Sequence, residues 1–171
     1  MKNHVFVWVL IGLSSAVSAC ASNPPPQVQA VRVEHEQCDG PAKPENQVAL
    51  LNSVSVLGAK PLYSHVITGK NDSEDRITGA WLLVRPPPGV SAEQLTRALQ
   101  CHSAEALLGQ VDTSQFGQDP FSLPSAWVDI QVTPEDGNFG VSIRDDSVAD
   151  GLETFHRATA FAESHRAPVG P

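Results

Sequence analysis

Residues 77–109 constrain the fold of this chain more than any other stretch. Ala80, Leu82 and Val84 point to one side of an extended backbone, and Trp81 and Leu83 to the other. Apolar side chains on both pleat faces predict an interior strand covered on two sides. Pro86, Pro87, Pro88 and Gly89 then end the pairing, because proline brings no N–H to a ladder. Ser91 with Gln94 three residues on makes a capping box, so a helix starts there. Around that helix Ala92, Leu95, Ala98, Leu99, His102 and Ala106 share one face, and Gly109 supplies the stop. His102 lies inside this apolar stripe and reads as a histidine packed at the core. Cys101 sits at the flank, where it can meet another element.

The neighbouring segments extend the unit. Residues 48–57 are apolar, with Val54, Val56 and Leu57 suggesting a strand that Pro61 breaks; residues 62–68 have strand composition again, and Tyr63 and His65 share a pleat face. Residues 69–75 read as a polar loop. After the helix, Phe116, Phe121 and Leu123 pin a connection marked by Asp119-Pro120 and Leu123-Pro124. Alternation over 126–133 and 139–144 predicts a hairpin with its loop at 134–138. Asp146 or Ser147 caps a last helix whose stripe is Val148, Leu152, Phe155, Thr159 and Ala162. Asp145, Asp146 and Asp150 suit the positive end of that helix and match no calcium-loop spacing. The fold class is therefore α+β: a small sheet with two helices on one face, core order β-α-β-β-α preceded by one or two strands. This order is similar to that of ferredoxin-like split units and of small ring-building domains of bacterial envelope assemblies. The likeness is of element order alone and assigns no function.

The N-terminus carries a different signal. Lys2 precedes an apolar run over residues 5–13, followed by small and polar residues. The run is too short to span a bilayer and reads as a targeting segment. Its end, Val17-Ser18-Ala19-Cys20, resembles the lipobox of bacterial lipoproteins. The resemblance covers residues 1–20. It implies removal of residues 1–19, with Cys20 diacylated on sulfur as the new N-terminus. Ala21 and Ser22 are not acidic, which in that class favours the outer membrane. Two or more acyl chains anchor stably where one does not. The chain then divides into a signal peptide (1–19), a lipid anchor and Pro-rich tether (20–45), a single α+β domain (46–165) and a flexible tail (166–171).

The formal charge is −8; loss of residues 1–19 removes Lys2 and no acid, which makes it −9. An acidic chain with no basic cluster argues against nucleic acid and against electrostatic docking on anionic lipid. With Cys20 consumed by lipid, Cys38 and Cys101 remain as an even pair in an oxidising compartment, and a disulfide is expected. HExxH, CxxC, GxSxG, P-loop and dinucleotide-binding motifs are absent, and no nucleophile–base or paired-carboxylate pattern appears. The expectation is a non-enzymatic, lipid-anchored lipoprotein of the outer membrane, its domain in the periplasm. It would act as a binding or structural module with no cofactor, touching the membrane through Cys20 and an envelope protein through its domain. The alternative is a periplasmic lipoprotein binding copper or zinc, with His65, Cys101 and His102 as ligands.

Overall fold

Two long strands, β1 (Ser55–Gly69) and β2 (Asp72–Arg85), form the first hairpin. A second hairpin pairs β3 (Val128–Glu135) with β4 (Asn138–Asp145). The computed structural model describes residues 23–38, 47–70, 72–112 and 118–166. The sheet is antiparallel throughout, in the order β1-β2-β4-β3. Among the described residues four α-helices complete the α+β fold: α1 (Pro26–Val33), α2 (Gln47–Ser53), α3 (Ala92–Leu107) and α4 (Val148–Ser164). Moving β1 to the C-terminal end would give β-α-β-β-α-β, the ferredoxin-like order; here that strand comes first.

The capping box at α3 is present: the Gln94 N–H donates to Ser91 Oγ at 3.1 Å, and the Ser91 N–H to Gln94 Oε1 at 2.8 Å. Gly109, with φ of 70°, ends the helix as the Gly109 N–H bonds the Ala106 carbonyl and the Gln110 N–H that of Glu105. Leu95, Ala98, Leu99 and His102 are buried, as their shared face requires. The second hairpin turns more tightly than a loop over 134–138. Asp136 and Gly137 both take positive φ (47° and 79°), the backbone of a two-residue turn matched to strand twist.

Three expectations change. First, the tether predicted over 20–45 gives way to helix in its described part: α1 begins at Pro26 and runs into a π-helical turn, Glu34–Cys38. Proline is suited to the first helical turn because its missing N–H is unpaired there anyway. Ala30 and Val33 bury against α3, forming a small second core with Cys38, Cys101 and Ala104. Residues 20–22 and 39–45 lie outside the described residues, as do the lipobox and Phe116. Second, Pro61 does not break β1, which continues through it opposite Ala80. β1 is an edge strand, where a missing donor is tolerated. Third, among the described residues β2 is covered on one face only. Ala80, Leu82 and Val84 are buried beneath the helices, while Trp81 and Leu83 are half-buried on an open face. There the Lys60 ammonium lies 3.9 Å from the Trp81 ring centre.

α4 packs on β2 and β1, rolled away from its expected stripe. Gly151, Thr154, Ala158 and Phe161 are buried, whereas Val148 and Leu152 stay 39% and 42% exposed. The cause is backbone contact. A Cβ on Gly151 would lie 2.6 Å from Thr78 Cα, so only glycine lets α4 approach β2 this closely. Phe161 then meets Phe121 edge-on, ring centres 5.4 Å apart. Helix propensity alone favours Gly151→Ala by about 1 kcal/mol. The contact with Thr78 reverses the sign, and the expected result is destabilisation by about 2 kcal/mol. Calorimetry should show a lowered Tm.

Candidate functional site

α3 holds two of the residues singled out by sequence. His102 is fully buried, and its Nε2–H donates to Asp119 Oδ2 at 2.6 Å. Asp119 Oδ1 accepts the Phe121 N–H at 2.9 Å. One carboxylate thus ties the segment leading to β3 onto α3, and both side chains of the pair are at most 4% exposed. Cys101 forms a disulfide with Cys38, their Cα atoms 5.6 Å apart. His65 is exposed on the far half of β1, its Nδ1 3.1 Å from Asp75 Oδ1. The structure does not bring His65, Cys101 and His102 together. Among the described residues, no group of three or more His, Cys, Asp or Glu side chains is placed to hold a metal ion. His102→Gln removes the charge-assisted partner of a buried carboxylate, with an expected loss of about 3 kcal/mol in chemical denaturation.

A second buried carboxyl lies where β4 passes into α4. Asp145 is 9% exposed, and Thr154 beside it is fully buried. Burial pushes the Asp145 carboxyl up from 3.8 to about 7. The Thr154 hydroxyl opposes the shift without meeting full hydrogen-bond geometry, while the charges of Asp150 and Asp146 add to it. The folded state therefore holds a proton that the unfolded chain releases above 3.8. The stabilisation is complete below that value and is lost as pH rises through about 7. Asp145→Asn should flatten the fall in stability between these limits, with a gain on the order of 2 kcal/mol at pH 8. Urea midpoints at several pH values measure it.

A crevice of about 390 Å³ lies beside α1, lined among others by Arg32, Gln100, Trp127, Asp129 and Arg144. Three of its amides are engaged: Asn23 Nδ2 donates to Asp146 at 2.9 Å, Gln29 Nε2 to the Pro24 carbonyl at 2.9 Å, and Gln100 Nε2 to the Ile130 carbonyl at 3.0 Å. Asp129 and Asp146 balance its two arginines.

The far half of the first hairpin stands clear of the rest of the sheet among the described residues. β4 pairs with β2 only over Gly79–Val84, so the chain from 72 to 78 has an open edge among the described residues. The ribbon beyond that point reaches about 20 Å, at 3.3 Å per residue. A free two-stranded ribbon is marginally stable in water. Pairing is regular from Tyr63↔Ile77 to Ile67↔Ser73, so Tyr63, His65 and Ile67 share a face. That is the side that carries the helices, since Pro61 of the same parity pairs with buried Ala80. Tyr63 is 57% and Ile67 78% exposed. At the root of this arm Gly151 touches Thr78, and Val148 and Leu152 flank that contact one turn apart. Sequence placed Val148 and Leu152 in the core and read the arm's tip as a loop. The signal for the arm was the Tyr63/His65/Ile67 alternation, which continues past Pro61. No protein-family model, curated protein or solved structure matches the chain.

Proposed function

We propose that this chain is a lipid-anchored lipoprotein of the outer membrane whose periplasmic domain is a non-catalytic binding module. The Cys38–Cys101 bridge carries this reading. Disulfides persist in oxidising compartments, which exported chains reach. The pair also accounts for every cysteine except Cys20, which stands at the end of the lipobox-like sequence. Both sulfurs of the domain are thus committed, and the cysteine left over is the one the lipoprotein resemblance assigns to acyl chains. The binding role is supported by the arm, a surface feature that folding alone does not require. Its exposed Tyr63 and Ile67 suit a protein partner better than solvent.

Replacement of Cys20 tests the anchor. Cys20→Ser should abolish labelling by radioactive palmitate and leave the chain unprocessed or released from outer-membrane fractions. Undiminished labelling and membrane fractionation of that variant would count against the reading.

A further inference from the structure

We infer that the arm and the first turns of α4 form a docking corner for an extended, basic segment of another protein, which adds as a strand to the open edge of β2 at residues 72–78. This deepens the reading of the domain as a binding module by naming the chemistry of its partner. Three observations converge on it. The first is the edge: over these residues β2 is paired with β1 on one side and with nothing on the other among the described residues. An added strand would satisfy its outward N–H and C=O groups and turn the free ribbon into a three-stranded sheet.

The second is the apolar content. A strand on this edge would set alternate side chains beside Ile77 on the helix-bearing side; Tyr63 and Ile67 extend that apolar face on the far side of β2. Val148 and Leu152 of α4 stand at the root of the same side.

The third is charge, which selects the occupant. Asp75 on the helix-bearing face of the arm, Asp72 on its other face and Asp150 at the start of α4 border the edge. Arg76 and Arg157 are held by Glu74 and Glu153, Arg144 at the root lines the crevice with Asp146, and Lys70 sits at the hairpin tip. Residues 72–78 carry three acids and one arginine, so pairing this edge with a second copy brings two net-negative strands together, which opposes self-assembly. A strand bearing lysine or arginine meets complementary charge instead.

The test uses the mature, lipidated chain in detergent and peptides of about ten residues that alternate valine with lysine or valine with glutamate. Hydrogen exchange read by mass spectrometry should show amides 72–78 slowed by the lysine peptide and untouched by the glutamate peptide. Val148→Ser and Leu152→Ser, each at an exposed position, should weaken lysine-peptide binding about tenfold while leaving the melting curve near wild type. The double variant Asp72→Lys/Asp75→Lys should reverse the preference between peptides. Equal protection by both peptides, or none by either, overturns the proposal. Protection of 72–78 that grows with protein concentration in the absence of peptide also overturns it, in favour of a second copy. The assay reads the corner whether or not Cys20 anchors the chain, so the anchor and the docking corner can fail separately.

Discussion

The backbone contact between Gly151 and Thr78–Gly79 sets the geometry of the helical layer. A Cβ at Gly151 would overlap Thr78, and one at Gly79 would collide with the Ile143 carbonyl, so α4, β2 and β4 approach one another without side chains between them. That approach fixes the roll of α4. Once Gly151 faces the sheet, Thr154, Ala158 and Phe161 must follow it inward, one, two and three turns on. Val148 and Leu152 are then carried outward, although their hydrophobicity alone would bury them. The exposed apolar residues of the corner are in this sense a product of close packing a few ångströms away.

The other half of the domain depends on a smaller core. α1 has no side-chain cap and is only eight residues long, too short to persist alone. It is held by Ala30 and Val33 against α3, by Gln110 Nε2 donating to Glu34 at 3.2 Å, and by the Cys38–Cys101 bridge. The bridge closes a span of 63 residues, a restriction of the unfolded chain on the order of 4 kcal/mol in the loop-entropy account. α3 thus serves two layers: Leu95 and Leu99 face the sheet, while Cys101 and Ala104 face α1.

Local chemistry in the sequence was legible wherever one residue type has one structural use. Ser91 and Gln94, Gly109, Ser147 and the strict alternation of β3 and β4 each specify an end, a stop or a face, and the α+β class follows from them. Cysteine parity was legible for a similar reason. What the sequence hid was decided by tertiary contact. The roll of α4 turns on a glycine whose partner lies more than 70 residues away. α1 was masked by its prolines and by a Val31/Val33 alternation that mimics a strand. Pro61 hid the length of β1, since its tolerance depends on the strand being at an edge, which no local pattern encodes. His102 was rightly placed in the core, but its partner Asp119 appeared in sequence only as a turn former.

The position of the disulfide also defines how the domain carries mechanical load. Tension arriving from the N-terminal side enters through α1 and crosses at Cys38 directly into α3. The chain from 39 to 100, which includes α2, the whole first hairpin and the start of α3, forms a loop closed by that bond. Force applied between the N-terminal side and a point after Cys101 therefore bypasses it. Pulled in that way, the domain keeps the ribbon in register while α1 and α3 bear the strain.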